Sequence, residues 1–383
     1  MKVEAELIDL VKKVYKNVDH CIGYPVCLYP NISGFGEWYT KTGLCDILMN
    51  NVGNPFDGEQ FILSSTDIEQ QVIEMVAPWY GIPKGQEWGF VTNSGTDGNM
   101  HGIYFGAKKL LNETGMLPIV YVSKEAHYSS YRLCDVQNLE VRLIDYDEKG
   151  SMDLDCLKKS IDPSKPALII VAVGSTFMGA IDNQAGIQKV LEEVKPVAVY
   201  KHLDAALFGG YLPFTEHKDI VSMEKQGYDS IAISGHKFFG VDEPCGLFLS
   251  RKEILDAQTS YRVEYLNNSM PLISCSRNAL TPLKLYWILS HIGFDGLSKE
   301  ANSMLENTNY LQQKLDEMGY PAWHMPYSNT VFFKRPDESI LNKYMLANGN
   351  LPNYGGELSH IVVMQHVKKE IIDEFIADLS ATL

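Results

Sequence analysis

Short apolar runs alternate with amphipathic segments through the middle of the chain. The apolar runs predict strands at 118–122, 141–144, 167–173, 198–204 and 229–234. Between them, segments such as 153–159 and 184–194 carry apolar residues at helical spacing. Regular alternation of strands and helices is typical of a mainly parallel sheet covered on both faces. The fully apolar run at 167–173 indicates a buried strand within that sheet.

The pattern changes before this region. Residues 1–20 predict a helix with Leu7, Leu10, Val11 and Val14 on one face. Residues 21–60 are rich in Gly, Pro, Asn and aromatic residues, which is the composition of a loop. Loops of this length tend to be functional. The turns in this segment that carry Tyr24 and Asn51 therefore belong either to a substrate pocket or to a surface arm that packs on a neighbour.

Helices are also predicted on either side of the alternating region. Thr66 as N-cap, with Glu69 three residues later, fits a capping box at the start of one helix. A long helix is predicted from about 282 to 318, and short strands follow at 330–334 and 360–364. We predict a helix and arm at 1–60, a large domain at 61–280, and an interdomain helix with a small α+β domain at 281–383.

Composition narrows the choice of partners. The chain has 383 residues, of which 45% are hydrophobic and 21% charged, so it can bury a large core. Its formal net charge is -15 and it has no basic run, which argues against nucleic acid or an anionic membrane as a partner. No uninterrupted apolar stretch approaches the ~18 residues of a membrane-spanning helix.

The cysteines indicate a reducing compartment. Seven cysteines are dispersed without a Cys-x-x-Cys pair, so we expect free thiols and a cytoplasmic location. The charged amphipathic start of the chain also lacks the pattern of a signal peptide. We expect no metal ion in the functional site.

Chemically capable side chains follow several predicted strands. His127, Thr176, Asp204 and Lys237 each fall at or just after a strand. Because ligands of such sheets sit at the carboxyl ends of strands, we expect these four residues to share one site. A lysine in that position is costly to bury as a cation, whereas a desolvated neutral amine can form a Schiff base with an aldehyde cofactor. Taken alone, Lys237 could equally be a surface lysine at a strand end.

The segment Ser94-Gly95-Thr96 joins a predicted strand to a helix. Free N–H groups and the helix dipole make such a start an anion site, and two hydroxyls add further donors. The segment lacks the glycine spacing of a dinucleotide-binding loop and the lysine of a P-loop. An ordinary helix cap is the alternative interpretation.

Together these residues meet the needs of a phosphorylated pyridine aldehyde. Lys237 would form the imine, and Asp204 would keep the ring nitrogen protonated. His127 and the small Ala206 would flank the two ring faces. The candidate phosphate donors are Ser94, Gly95, Thr96, Ser234 and His236. Each residue has an ordinary alternative, such as a helix cap for Asp204, but the joint pattern in this order is much more specific.

At this point the chain resembles the pyridoxal-phosphate-dependent group II amino-acid decarboxylases. Within them it is most similar to bacterial histidine decarboxylases and plant serine decarboxylases. The matching stretches extend over nearly the whole chain: Gly23-Tyr24-Pro25, Asn50-Asn51, 94–99, His127-Tyr128-Ser129, 174–180, 202–206, 234–237, Pro244-Cys245-Gly246, Ser276-Arg277-Asn278 and 359–364.

The resemblance implies a fold-type I α/β enzyme, similar to aspartate aminotransferase, that forms a homodimer with shared active sites and binds pyridoxal 5'-phosphate. It implies that Thr176 lies beside the oxygen edge of the ring. A serine aligned with Ser276 reaches the partner subunit's phosphate in relatives, and the residue aligned with Tyr265 is a candidate proton donor. His360 falls where some relatives hold the substrate carboxylate. Tyr24 and Asn51 are the other candidate substrate-binding residues.

Three motifs depart from the family pattern. The family usually has Gly-Gly-Thr-Glu-Gly-Asn where this chain has Ser94 and Asp97, and Gly-Thr-Thr where it has Ser175. Both changes preserve groups that suit phosphate and ring binding. The family's Ser-Arg-Asn-Gly becomes Ser-Arg-Asn-Ala279, a change near the substrate end.

The resemblance predicts a carboxy-lyase that converts an L-amino acid to a primary amine and CO₂. Tyr265 or His127 would protonate the α-carbon. Other reactions of the same cofactor share these motifs, namely transamination, carbon–carbon lysis and decarboxylation-dependent oxidation. A regulator that merely binds the cofactor is disfavoured by the intact Lys237, Asp204 and His127. We favour a histidine-like or serine-like polar substrate, while an acidic or non-proteinogenic amino acid stays open because Arg132, Arg262 and Arg277 could read a carboxylate.

Overall fold

A computed structural model of the chain describes residues 2–16, 18–28, 31–58, 61–258, 261–264 and 268–383. Its α-helices are α1 Lys2–Tyr15, α2 Phe35–Lys41, α3 Thr66–Val76, α4 Gly95–Thr114, α5 Ser129–Val136, α6 Leu154–Ser160, α7 Gln184–Val194, α8 Phe208–Tyr211, α9 Met223–Gln226, α10 Lys252–Asp256, α11 Leu280–Glu317, α12 Glu338–Tyr344 and α13 Lys369–Ala381.

The strands are β1 Asn50–Asn51, β2 Glu87–Thr92, β3 Ile119–Ser123, β4 Glu140–Ile144, β5 Ala167–Ala172, β6 Val199–Asp204, β7 Ser230–Ser234, β8 Gly246–Arg251, β9 Tyr261–Val263, β10 Asn268–Met270, β11 Arg277–Asn278, β12 Ala322–His324, β13 Thr330–Lys334, β14 Ala347–Leu351 and β15 Gly356–Val362. Every strand predicted in the alternating region is present within a few residues of its predicted bounds.

The chain divides into two compact units. The larger comprises Pro30–Thr176 and Ala180–Lys299, and the smaller comprises Met1–Tyr29, Phe177–Gly179 and Glu300–Leu383. The N-terminal residues thus cluster with the C-terminal part of the chain. The long predicted helix is α11, which is interrupted at Gly293, where φ is 66° and ψ is 178°. Only glycine adopts this backbone conformation readily, which explains why the helix breaks there.

The larger unit contains a seven-stranded sheet in the order β2-β8-β7-β6-β5-β3-β4. Strands β7, β6, β5, β3 and β4 pair in parallel, while β8 runs antiparallel to both of its neighbours. All residues of β2, β3, β5 and β7 are buried, as expected for strands covered on both faces. The mainly parallel sheet predicted from the alternation is therefore confirmed.

The smaller unit contains a separate antiparallel sheet in the order β12-β13-β15-β14. Helix α13 buries Ile372, Phe375 and Leu379, and the Phe375 ring contacts Phe333 of β13 with ring centroids 5.6 Å apart. This sheet and its helices form the small α+β part of the predicted fold.

Candidate active site

The larger unit gathers most of the predicted site residues at one edge of its sheet. Ser94 follows β2, His127 follows β3, Thr176 follows β5, Asp204 ends β6 and Lys237 follows β7. Strand β2 runs parallel to β7, since both are antiparallel to β8. All five strands therefore present their carboxyl ends at the same edge, where open α/β sheets bind ligands.

Lys237 and Asp204 form the electrostatic centre of this edge. Burial lowers the pKa of the Lys237 ammonium, and the Asp204 carboxylate opposes that shift. Asp204 is itself only 7% exposed at the end of β6. A lysine whose amine is desolvated in this way is closer to the neutral form that acts as a nucleophile.

His127 belongs to the same electrostatic group. Burial lowers the pKa of His127, the Asp204 carboxylate raises it, and Lys237 lowers it further. The backbone N–H of Ser129 points at Nδ1 of His127 at 3.3 Å, and the Ser129 hydroxyl lies 2.7 Å from the same nitrogen. Nδ1 therefore accepts hydrogen bonds, and a neutral His127 carries its proton on Nε2.

The start of α4 forms a cradle with donors for an anion. Ser94 is the N-cap of α4, and its hydroxyl oxygen accepts a bond from the Asp97 N–H at 3.1 Å. The Ser94 O–H remains able to donate. Gly95 and Thr96 are the first two residues of the helix, whose N–H groups have no partner within it. A Cβ on Gly95 would lie 2.3 Å from Oγ of Ser234, so a side chain at position 95 would displace that hydroxyl from the cradle.

The residues of the edge fit the cofactor that the resemblance implies. The cradle offers two hydroxyls and free N–H groups to a phosphate, and Asp204 offers a carboxylate for a pyridine nitrogen. Ala206 lies beside Gly95, 3.6 Å from the position that a Cβ would take, so its small side chain borders the cradle. Lys237 supplies the amine. This match between the residues and the cofactor is based on the hydrogen-bond donors and the packing of this chain.

His236 lies beside Cys245. Its Nδ1 is 2.9 Å from the Cys245 carbonyl oxygen and also faces the Cys245 N–H at 3.3 Å, so these contacts are compatible with either neutral tautomer. Burial lowers the pKa of His236, the Cys245 carbonyl raises it, and Lys237 lowers it. With Nδ1 accepting from the Cys245 N–H, the neutral ring carries its proton on Nε2 and can donate it to a phosphate.

Thr176 lies on a tight loop between β5 and α7. The N–H groups of Gly174 and Ser175 donate to the Ala180 carbonyl, and the Ser175 hydroxyl oxygen accepts from the Ala180 N–H at 3.1 Å. The serine that departs from the family pattern therefore closes the loop with an atom that threonine also has. Thr176 is left exposed next to it.

The smaller unit holds Tyr24 and His360. Tyr24 is 49% exposed, whereas His360 is 5% exposed and stacks on Phe177 with ring centroids 4.7 Å apart. Nδ1 of His360 faces the Phe177 carbonyl at 2.9 Å, and Nε2 faces the Gly23 carbonyl at 3.1 Å. Because both ring nitrogens face backbone oxygens, this geometry gives no support to the predicted role of His360 in holding a substrate carboxylate.

Asn51 lies in a buried polar network. It is fully buried, its Nδ2 donates to Glu69 at 2.8 Å, and its Oδ1 accepts from the Ser65 N–H at 2.8 Å. Arg277 donates to both oxygens of the same Glu69 carboxylate, at 3.0 and 2.8 Å. These contacts hold β1, α3 and β11 together, and they give no support to substrate binding by Asn51.

The same network corrects the predicted capping box. The N-cap of α3 is Ser65 and its side chain makes no capping bond, while Thr66 is the first helical residue. Glu69 does not reach back to the N-cap, because its oxygens bind Arg277, Asn51 and the Val91 N–H. A buried cation outcompetes a local cap for the carboxylate.

Ser276 and Tyr265 complete the predicted set. Ser276 is exposed, and its Oγ accepts a bond from Nδ2 of Asn50 at 3.2 Å. Tyr265 lies outside the described residues, so its role as a proton donor stays a prediction.

Two buried residues near Asp204 were not singled out from the sequence. His202 precedes Asp204 by two positions on β6, and its Nε2 lies 2.9 Å from Oδ1 of Asn99 on α4. Period-two spacing places His202 on the same face of the strand as Asp204. The sequence also contained a signal of close packing between α4 and the sheet, since glycines recur four residues apart in this helix.

The Lys237–Asp204 pair has a measurable consequence in the enzyme without cofactor. Asp204→Asn removes the negative charge that raises the pKa of Lys237, so we expect that pKa to fall further below that of an ordinary lysine. The rate of reductive methylation of Lys237, followed by peptide mass spectrometry across a pH series, reports it. Lys124, which pairs with Asp145 at the surface, is the internal control and should titrate identically in both proteins. An unchanged Lys237 profile would contradict the pairing.

Sequence comparisons agree with this site. The profile of the pyridoxal-dependent decarboxylase conserved domain matches residues 62–326. Histidine decarboxylase from Solanum lycopersicum is 33% identical over 363 residues, which is 94% of this chain and 84% of that protein. Serine decarboxylase 1 from Oryza sativa subsp. japonica is 32% identical over 373 residues, 96% of this chain and 73% of that protein.

The fold agrees as well. L-methionine decarboxylase from Streptomyces sp. 590 superposes with a TM-score of 0.83 over 99% of this chain and 95% of that chain, at 19% identity. That likeness shows a common fold-type I architecture. With the profile match and the relatives at about one third identity, it establishes that the chain belongs to the pyridoxal-dependent decarboxylase family and is a pyridoxal-5'-phosphate-dependent amino-acid decarboxylase.

Proposed function

We propose that this enzyme removes CO₂ from a small polar L-amino acid, of the histidine or serine type, and releases the corresponding primary amine. The observation that carries the proposal is the group formed by Lys237, Asp204 and His127 at one sheet edge, beside the anion cradle at the start of α4. The relatives named histidine and serine decarboxylases, at 32–33% identity, support the substrate class.

Each residue of the group has a task that follows from its surroundings. The bound cofactor supplies an electron sink for the carbon that loses CO₂. Asp204 holds a proton at the pyridine nitrogen, which its rigid position at the end of β6 favours. Lys237 would provide the amine that holds the aldehyde of the cofactor. The donors of Ser94, Gly95, Thr96 and Ser234 orient the phosphate end.

His127 is placed to serve the ring face and the proton transfer. With Nδ1 accepting from Ser129, the Nε2–H of neutral His127 is the atom available to donate. Its ring lies 4.4 Å from that of Tyr128, which limits its rotation. Tyr265 is the second candidate for the proton donor.

The arginines favour a polar substrate over an acidic one. Arg277 is 3% exposed and is occupied by Glu69, by the Gly53 carbonyl and by the Phe90 ring. Because it is buried and paired with Glu69, Arg277 is poorly placed to bind a substrate carboxylate. Arg132 lies over the Tyr128 ring, 5.0 Å from its centroid, and is the described arginine next to His127. Arg132 is therefore the described candidate for reading an acidic side chain, while the side chain of Arg262 lies outside the described part of the structure.

We infer that the enzyme works as a homodimer. The apolar face predicted for α1 is uncovered within this chain, with Leu7, Leu10, Val11 and Val14 each more than half exposed. Leu48 and Ile62 are 85% and 83% exposed. Such large apolar patches usually mark an interface. A second copy of the chain is the partner that the family resemblance supports, and Ser276 would complete the phosphate site of that copy.

A cytoplasmic location is proposed on the state of the cysteines. None of the seven, which all lie in the described part of the chain, is in a disulfide, which suits a reducing compartment. No helix among the described residues is long and apolar enough to cross a membrane.

Product analysis tests the reaction and the substrate together. The purified holoenzyme is incubated with each common amino acid, and products are identified by mass spectrometry, with Lys237→Ala as the blank. We expect one amine equal to its substrate minus CO₂, from histidine, serine or a similar polar amino acid. A keto acid or aldehyde product would replace the proposal with transamination or oxidative decarboxylation. Turnover of glutamate or aspartate alone would overturn the substrate class.

The phosphate cradle is tested by adding one methyl group. Gly95→Ala places a Cβ 2.3 Å from Oγ of Ser234, which must rotate away, and the loss of one hydrogen bond to a charged phosphate costs about 1.5–3 kcal/mol. We expect the dissociation constant of pyridoxal phosphate to rise about ten- to hundredfold in an absorbance titration of the apoenzyme. The matched control is Gly36→Ala, where nothing lies within 4 Å of the new atom. Equal affinity in the two variants would remove the cradle from the cofactor site.

The shared active site is tested at Ser276. If its hydroxyl completes the phosphate site of the second copy, Ser276→Ala should speed cofactor loss while Lys237 still reacts with the aldehyde. Dialysis of the holoenzyme, followed by absorbance, measures the loss, and sedimentation gives the oligomeric state. If the variant retains the cofactor as well as the unaltered dimer does, Ser276 does not complete the phosphate site of the second copy.

A further inference from the structure

Helix α4 lies unusually close to the sheet beneath it. A Cβ on Gly98 would lie 2.9 Å from Cβ of Ala232, one on Gly102 would lie 2.2 Å from Cε1 of His202, and one on Gly106 would lie 2.5 Å from the Tyr200 ring. These glycines recur every four residues, so they share one face of the helix. The helix therefore rests directly on β6 and β7, and the His202 ring occupies the space that a side chain at 102 would need.

A buried chain of hydrogen bonds runs through this contact. The Tyr200 hydroxyl donates to Oγ of Ser230 at 2.8 Å, and Oγ of Ser230 lies 2.8 Å from Nδ1 of His202. Nε2 of His202 lies 2.9 Å from Oδ1 of Asn99, an atom that can only accept. His202 and Ser230 are both fully buried, and Asn99 is 3% exposed.

A neutral histidine satisfies all of these bonds. Nε2 carries the proton that it donates to Asn99, and Nδ1 accepts the Ser230 O–H. Ser230 in turn accepts from Tyr200, and every group in the chain is then satisfied. Burial lowers the pKa of His202 to about 4, against the opposing effect of Asp204. A neutral His202 carries no positive charge that would offset the negative charge of Asp204, two residues further along β6.

The contact lies between the two ends of the cofactor site. Asn99 is one helical turn beyond Gly95, where the phosphate cradle begins, and His202 is two residues before Asp204. We propose that Asn99 and His202 are positioning residues that hold α4 against β6 and so fix the spacing between the phosphate cradle and Asp204. The proposal rests on the placement of the cofactor given above.

The physical reason is the rigidity of the cofactor. Its ring nitrogen and its phosphate are held by two different elements, so a sliding of α4 along β6 would misplace one end whenever the other is bound. Sites work only when their contacting groups are held to within about 0.5 Å by neighbours that are themselves locked. The hydrogen bond from His202 to Asn99 sets the position along the strand, and Gly102 allows the close approach that the bond needs.

Four single substitutions test the proposal, each measured in the full-length enzyme. Asn99→Ala and His202→Leu remove the link between α4 and β6. His202→Gln keeps an amide N–H near the position of Nε2 and can still donate to Asn99. Tyr200→Phe is the control, since it removes a bond from the same buried chain but leaves the link intact. The readouts are the dissociation constant of pyridoxal phosphate, by absorbance titration of the apoenzyme, and the apoenzyme melting temperature.

We expect Asn99→Ala and His202→Leu each to weaken cofactor binding about tenfold or more. His202→Gln and Tyr200→Phe should stay within about threefold of the unaltered enzyme. The double variant Asn99→Ala/His202→Leu should bind no more weakly than the weaker of its two singles, because both remove one interaction. If His202→Leu fails to fold, Asn99→Ala compared with Tyr200→Phe decides the question.

Two outcomes would overturn the proposal. One is a cofactor affinity within twofold of the unaltered enzyme in folded Asn99→Ala. The other is an equal loss in Asn99→Ala and Tyr200→Phe, which would mean that the residues contribute only to core stability. If the cofactor does not bind at this sheet edge at all, Asp204→Asn and Gly95→Ala would leave the affinity for pyridoxal phosphate unchanged as well. That result distinguishes a wrong cofactor site from a wrong role for Asn99 and His202.

Discussion

Desolvation of the Lys237 amine, at the sheet edge that also carries the Asp204 carboxylate, is the constraint on which the rest of the site depends. An ammonium is expensive to remove from water, and a carboxylate at the same sheet edge offsets part of that cost. As a result, the Lys237 amine is more easily deprotonated, and the Asp204 carboxylate is held rigidly. Both properties are needed by an enzyme that binds an aldehyde cofactor through an imine and keeps its ring protonated.

The sheet makes this arrangement possible. Parallel strands bring residues that are distant in sequence to one edge, and the antiparallel β8 returns Cys245 and Gly246 to the same edge. A Cβ on Gly246 would lie 2.6 Å from both the Ile233 carbonyl oxygen and Oγ1 of Thr92. The absence of a side chain there lets the segments after β2 and β7 lie close together. Glycine therefore allows two segments to approach closely at these loops, as it does along α4.

The buried network of Glu69, Arg277 and Asn51 has a structural task. It ties β1 and β11 to α3, so the segment that carries Ser276 is held from within the protein. Removing either charge would leave its partner buried without compensation, which is the costly case for an ion pair. The arginine in a family motif is thereby accounted for without any contact with substrate.

The sequence determined the layout of the larger unit. Apolar runs at the right spacing specified the strands, and the positions of His127, Asp204 and Lys237 after those strands specified one shared edge, because parallel strands leave no other choice. The family resemblance added the cofactor and the reaction. These inferences depend on local pattern and on the order of elements, both of which are written directly in the sequence.

Only the tertiary structure decided which polar side chains are engaged in contacts within the protein itself. Asn51 and His360 have the chemistry of binding residues, yet their polar atoms face Glu69, Ser65 and backbone carbonyls. Glu69 has the spacing of a capping residue but pairs with Arg277, which is 208 positions away. His202 and Asn99 are separated by 103 positions and meet across a helix and a strand. Local pattern carries no information about such partners, because buried polar groups pair with whatever the packing brings within reach.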